Sequence, residues 1–189
     1  EIVDPVNMPG GGAVNSVGGI YTFLFDDTVT VKLNVPGAPK LTALSTTVIN
    51  EQAGLIYGLE AGLTQMAFES QYGRVVGNGR LEFTQAANFG TGTKVHLVDN
   101  VTQRVLKTYT VVIFGDVNGD ANIDSADASL IVDLENFAIT WDTTQDAALL
   151  KAADLNGDGN IDSSDAGCIV DYENFLLNIS QTTGMASAF

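Results

Sequence analysis

The 189-residue sequence predicts a chain of two modules, a small antiparallel β module followed by an all-α unit of three helices. Three observations carry that expectation. Short runs dense in β-branched and aromatic residues, broken by turn signals, occupy the chain as far as Phe114. From Asp116 onward the apolar residues recur at helical spacing. The acidity is also segregated: the formal net charge is −15, and Asp116 to Leu177 holds 14 of the 23 acidic residues but only one of the eight basic ones, Lys151.

Residues 1–19 are rich in Gly, Pro and Asn and read as a linker or partly ordered lead-in. Residues 20–114 form the β module. Its strand candidates are "IYTFLF", "TVTVKLNV", "KVHLVD" and "VLKTYTVVIF", separated by "PGAP", "GNG" and "GTG". The stretch "STTVINEQAGLIYGLEAGLTQMAFES" fits either further strands or a short helix. Residues 115–180 form the helical module. "DASLIVDLENFAI" puts Leu130, Ile131, Leu134 and Ala138 on one face, and "DAGCIVDYENFLL" does the same with Cys168, Ile169, Tyr172 and Leu176. Between them, Thr143 followed by Asp146 marks a helix start leading into "AALLKAAD". Residues 181–189 are expected to be a flexible tail.

The charge distribution excludes two partner classes. A phosphate backbone or anionic membrane surface would be repelled by the acidic segment, and no basic stripe exists elsewhere, so neither nucleic acid nor membrane is an expected partner. No apolar run of about 20 residues could span a bilayer. The single cysteine, Cys168, cannot form an internal disulfide and reads as an apolar filler. Because the chain opens at Glu1 without an initiator Met, it reads as a piece of a longer protein.

One acidic sentence is written twice. "GDVNGDANIDSAD" begins at Gly115, and "ADLNGDGNIDSSD" begins 38 residues later at Ala153. Counted from Asp116, oxygen-bearing side chains fall at loop positions 1, 3, 5, 9 and 12: Asp116, Asn118, Asp120, Asp124 and Asp127. The second loop gives Asp154, Asn156, Asp158, Asp162 and Asp165. Calcium takes about six to eight oxygens at roughly 2.3–2.6 Å, and such a loop supplies them with one backbone carbonyl at position 7, here Asn122 or Asn160. The position-12 carboxylate lies in the first turn of the next helix, where an anion is favoured. Two matches at a fixed interval make two calcium ions the expected cofactors; magnesium, which prefers octahedral geometry and retains its waters, fits less well.

Three departures separate these loops from an EF-hand. Position 12 is Asp rather than the longer Glu. Position 6 is Gly159 in the second loop but Ala121 in the first, where the sharp turn usually wants glycine, so the first site is expected to be weaker or reshaped. The first loop also follows a strand-like run, "YTVVIFG", rather than an entering helix. This pattern of loop plus exiting helix, "DVNGDANIDSADASLIVDLENF" and "DLNGDGNIDSSDAGCIVDYENF", resembles the type I dockerin, the calcium-dependent module that plugs cellulosomal proteins into cohesins. The preceding segments "GLIYGL" and "GTGTKVHLVDNVTQRVLKTYTVVIFGDVNGD" are similar to the X-modules or Ig-like β-sandwich companions that stand before some dockerins.

The resemblance implies a non-catalytic docking module, secreted or displayed at a cell surface, that binds a cohesin 1:1. It places partner contacts at Ser125, Ala126, Val132 and Asp133 in the first repeat and at Ser163, Ser164, Val170 and Asp171 in the second, with Asn136 and Asn174 on the same faces. Many dockerins carry Lys or Arg where this chain has Val132-Asp133 and Val170-Asp171, which implies a basic or polar cohesin surface. About two thirds of the residues are identical between 116–139 and 154–177, so either repeat could dominate the contact in a dual binding mode; preservation of two calcium loops alone is the plainer explanation.

Other functions have less to build on. His96 is the only histidine and sits mid-strand, and there is no nucleophile arrangement or phosphate-binding glycine loop, so no enzyme activity is expected. Trp141, between helices, is expected to cap the small core. A calcium sensor would expose a Met-rich groove, yet Met8, Met66 and Met185 lie outside the paired helices. The strongest rival is a carbohydrate-binding β module with an accessory calcium domain, using Tyr21, Tyr57 and Tyr72 as a sugar platform.

Overall fold

A computed structural model describes residues 37–85 and 88–189, together with the backbone of three strands, β1 (Val14–Val17), β2 (Ile20–Leu24) and β3 (Thr30–Asn34). Residues 1–13 of the expected lead-in and the side chain of Tyr21 lie outside the described residues. Within that lead-in Val14–Val17 pairs antiparallel with β2, and β3 completes a three-stranded sheet.

Next come β4 (Lys40–Ala43), β5 (Val48–Asn50), β6 (Leu55–Tyr57), β7 (Gly73–Val76), β8 (Gly79–Thr84), β9 (Lys94–Asp99) and β10 (Val105–Val111). β4 and β7 form an antiparallel pair, and a five-stranded sheet runs in the order β5-β6-β10-β9-β8. β10 pairs parallel with β6, Thr110 opposite Leu55 and Val111 opposite Ile56. The expected all-antiparallel sheet is therefore mixed. The cause lies in the long excursion between these two strands, which carries the chain across β7, β8 and β9 before β10 returns beside β6 in the same direction.

The ambiguous stretch resolves into β5, β6 and a single-turn helix α1 (Gln65–Ala67), capped by Thr64 Oγ1 accepting from Ala67 N–H at 3.2 Å. α1 runs into a π-helical turn, Phe68–Tyr72, that delivers Phe68 to the core. Phe68 is fully buried and meets Phe83 edge-on at 5.9 Å and Phe89 at 5.6 Å between ring centroids.

Three helices follow: α2 (Ser125–Glu135), α3 (Ala147–Ala153) and α4 (Ser163–Glu173). α3 begins at Ala147, not Thr143, because Asp142 takes the preceding N–H groups: its Oδ1 accepts from Thr144 N–H at 2.8 Å and Gln145 N–H at 2.9 Å, closing a turn first. α2 and α4 pack on each other and bury Ala128, Ile131, Ala166 and Ile169, while Leu176 of the expected face projects into solvent. Trp141 packs partly buried against the core, as does Cys168.

One continuous apolar core joins both modules. Ile56, Val95 and Tyr109 of the sheet belong to the same buried cluster as Ile131, Ala152 and Ile169 of the helices. The bridge is the run Val111 to Phe114, buried at every residue, whose end is fixed by Gly115 N–H donating to Ala152 C=O at 2.9 Å.

The expected flexible tail is instead built in. β11 (Leu177–Ile179) pairs with β12 (Ala186–Ala188). Gln181 Oε1 accepts from Phe114 N–H and its Nε2 donates to Phe114 C=O, both at 2.8 Å, and Gly58 N–H donates to Gln181 C=O at 2.7 Å. These bonds satisfy the polar groups of a fully buried segment, which would otherwise carry a desolvation cost of about 1–3 kcal/mol each.

Candidate metal centre and docking face

Each acidic loop is organised around its position-12 aspartate. Asp127 Oδ1 accepts from Val117 N–H at 2.8 Å and Asn118 N–H at 3.0 Å, while Oδ2 accepts from Asp124 N–H at 3.1 Å. Asp165 makes the same three bonds, to Leu155 (2.8 Å), Asn156 (3.2 Å) and Asp162 (3.1 Å). Asp124 and Asp162 cap α2 and α4 in return, so each loop and its exiting helix are locked by a capping box.

The position-1 residues gather the loop backbones. Asp116 Oδ1 accepts from Gly119 N–H at 2.7 Å, and Asp154 Oδ1 from Gly157 N–H at 2.8 Å. Asn118 and Asn156 take the N–H of Asp120 and Asp158, whose own Oδ1 atoms take the N–H of Asn122 and Asn160. The loops are thus ordered by their side-chain oxygens. Among the described residues, no three His, Cys, Asp or Glu side chains are gathered closely enough to hold a metal on their own.

The donor set fits calcium. Asp116, Asp127 and Asp165 are fully buried carboxylates that form no ion pair among the described residues. Burial pushes the Asp116 carboxyl up to about 6, against three backbone N–H bonds and with the Asp127 charge adding to the rise. Burial likewise raises Asp127 and Asp165. An ionised carboxylate in such a place calls for a positive counter-charge. Lone pairs remain for it on oxygens that accept a single N–H, such as Asp116 Oδ1 and Asp127 Oδ2.

Ala121 keeps the geometry that glycine usually supplies. Its φ is 70°, beside 82° at Gly159, so the first loop is not reshaped at that position. The two loops differ in cover instead. The first is roofed by the β module: Thr91 N–H donates to Asp116 Oδ2 at 2.9 Å, Asn88 Nδ2 to Asp120 C=O at 2.8 Å and Gly62 N–H to Ala121 C=O at 2.9 Å. The second has Gly157, Asp158, Gly159 and Asn160 exposed, and Ala186 N–H donates to Leu155 C=O at 2.8 Å.

The duplicated sequence is duplicated in shape. N-caps Asp124 and Asp162 share φ −149°, C-caps Asn136 and Asn174 have φ −83° and −86°, and Phe137 and Phe175 both have φ 58°. Ser125, Val132, Asp133, Ser163 and Val170 line one open groove of about 490 Å³ between α2 and α4. Ala126, Asn136, Ser164, Asp171 and Asn174 are exposed around it.

Sequence reading missed Phe137 and Phe175. Each ends its helix in a Schellman motif: Phe137 N–H donates to Leu134 C=O and Ala138 N–H to Asp133 C=O, repeated at Phe175 and Leu176. Glycine normally takes this left-handed position, yet both are phenylalanine and 88% and 84% exposed. The matching "ENF" triplets were the signal. The rival sugar platform fares poorly, since Tyr72 is buried and Tyr57 packs against the core, edge-on to Phe114. His96 lies in β9 and bridges Thr84 and Thr108 across the sheet.

No curated protein and no solved structure matches the chain. Residues 114–172 match the family model described as the dockerin type I domain, a span that holds both loops, α2 and all but the last residue of α4. Over that span the chain is a type I dockerin domain, a non-catalytic docking module of the kind that binds calcium and cohesins.

Proposed function

We propose that this chain docks a larger protein onto a single cohesin, 1:1 and only when two calcium ions occupy the loops at Asp116–Asp127 and Asp154–Asp165. The destination is a secreted or cell-surface, cellulosome-type complex that degrades polysaccharide. The β module acts as an Ig-like companion that stabilises the dockerin rather than as a binding module of its own. Bound calcium would neutralise the carboxylates; Asp116, Asn118, Asp120, Asp124 and Asp127, with the Asn122 carbonyl, hold it in the first loop. In the second loop Asp154, Asn156, Asp158, Asp162 and Asp165 do so with the Asn160 carbonyl.

The observation that carries this reading is the repeat of shape, down to the capping angles of α2 and α4, around a groove lined from both repeats. Such symmetry supports a dual binding mode, with Ser125, Ala126, Val132, Asp133 and Asn136 presenting one face and Ser163, Ser164, Val170, Asp171 and Asn174 the other. The exposed Phe137 and Phe175 extend the two faces equally.

The test uses Val132→Arg, Val170→Arg and the double variant, titrated against a cohesin domain that the native chain binds. Dual-mode docking predicts a small loss for each single change and abolished binding for the double. Abolition by one single variant, with no effect of the other, would leave a single mode. Unchanged binding by the double variant would overturn the docking face itself.

A further inference from the structure

From the roof over the first loop we infer that the β module completes the first calcium site: Gly90 and Thr91 are positioning residues for Asp116, making this site the tighter and slower-exchanging of the two. The inference rests on the calcium reading above and adds a division of labour between the loops.

Asp116 and Asp154 occupy the same loop position but not the same surroundings. Asp154 is partly exposed and its Oδ1 accepts from one loop N–H. Asp116 is fully buried, and its Oδ2 accepts both from Ala121 N–H at 3.2 Å and from Thr91 N–H at 2.9 Å, the latter 25 residues upstream on the segment leading into β9. Thr91 is itself pinned. Its Oγ1 donates to Ile113 C=O at 3.1 Å and accepts from Ile113 N–H at 2.9 Å, on the run that leads into the loop. One buried threonine therefore fixes both the carboxylate and the strand that carries it.

The contact leaves no spare room. A Cβ on Gly90 would overlap Asp116 Oδ2 and stand 2.7 Å from Ala121 N and 2.8 Å from Gly119 O. Gly90 is thus a glycine because the loop backbone passes against it. Asn88 adds two bonds, Nδ2 to Asp120 C=O and N–H to Gly119 C=O at 3.2 Å. Ala121, in a left-handed conformation, has its carbonyl held by Gly62 N–H.

A ligand oxygen held in place before the ion arrives loses less freedom on binding, and a loop closed by a second module must open before the ion leaves. Among the described residues only the Met185 side chain lies against Gly157, and no hydrogen bond from outside the loop reaches Gly157 to Asn160, so the second loop keeps more of the freedom that the first has surrendered. The second loop would then respond first when calcium falls, while the first stays loaded as part of the fold.

Calorimetric calcium titration of the metal-free full chain tests this, with chelator-induced release followed by stopped flow. Asp116→Asn and Asp154→Asn assign the steps. The native chain is expected to show two unequal steps, the tighter and slower lost in Asp116→Asn. Gly90→Ala should weaken that step about tenfold or more and leave the other within twofold, and Asn88→Ala, at an exposed position, should weaken it about threefold. The selective effect separates positioning from general loss of fold, which would move both steps. Loss of the tighter step in Asp154→Asn, or equal effects of Gly90→Ala and Asn88→Ala on both steps or on neither, would overturn the inference while leaving calcium binding intact. Absence of any calcium heat would overturn both.

Discussion

Acid should stabilise the calcium-free protein, and the size of the effect can be worked from one residue. The Asp116 carboxyl stands at about 6 in the fold against 3.8 ordinarily, chiefly because burial disfavours its charge. A carboxyl raised on folding holds its proton more tightly in the folded chain than in the unfolded one. Its stabilising contribution is complete below the unfolded value and is lost as the pH rises through about 6. Two pH units at about 1.4 kcal/mol each give a loss of about 3 kcal/mol between pH 4 and pH 7. Asp127 and Asp165, raised by the same burial, act in the same direction. Calcium held as proposed would oppose the trend, because a metal ligand must be deprotonated. Urea unfolding of resin-stripped protein at pH 4, 5, 6 and 7 measures it, comparing the native chain with Asp116→Asn, whose amide does not titrate. The native stability minus that of the variant should fall by about 3 kcal/mol across this range. A difference that stays constant, or grows with pH, would refute the account of Asp116 as a buried, uncompensated acid.

Three other perturbations follow from the packing. Phe114→Ala, at the junction where Phe114 meets Tyr57, Lys151 and Gly184, should cost about 4 kcal/mol and lower one shared melting transition; two separate transitions would show that the modules do not share a core. Phe175→Gly should raise stability by about 1 kcal/mol, because φ 58° strains phenylalanine and its exposed ring packs on nothing, while weakening cohesin binding; calorimetric melting and titration read the two effects. Gly159→Ala should cost about 1–2 kcal/mol, since φ is +82° although no atom lies within 4 Å of the added methyl; an unchanged urea midpoint would contradict that strain.

What the sequence displays openly is what depends on near neighbours. The acidic pattern from Asp116 to Asp127 and its copy from Asp154 to Asp165 are set by a short loop and its capping helix, so spacing alone reveals the repeat. The buried pair Ile131 and Ile169 follows from helical periodicity in the same way. Features made by distant contacts were hidden. The parallel pairing of β6 with β10 joins segments more than 50 residues apart, and Gln181 reaches Phe114 across 67. The clasp of Thr91 on Asp116 left no periodic trace, because it uses a backbone N–H that any residue but proline could offer. Phe137 was concealed for the opposite reason: a strained left-handed phenylalanine contradicts the local preference that sequence reading relies on.

The central claim is that calcium gates docking. Calorimetric titration of a cohesin panel into the calcium-loaded chain, repeated after removal of calcium, tests it most directly. The account predicts tight 1:1 heat with one or more cohesins that vanishes without calcium and returns when calcium is restored. Binding of equal strength without calcium, or no binding to any cohesin by a chain that holds both ions, would contradict it.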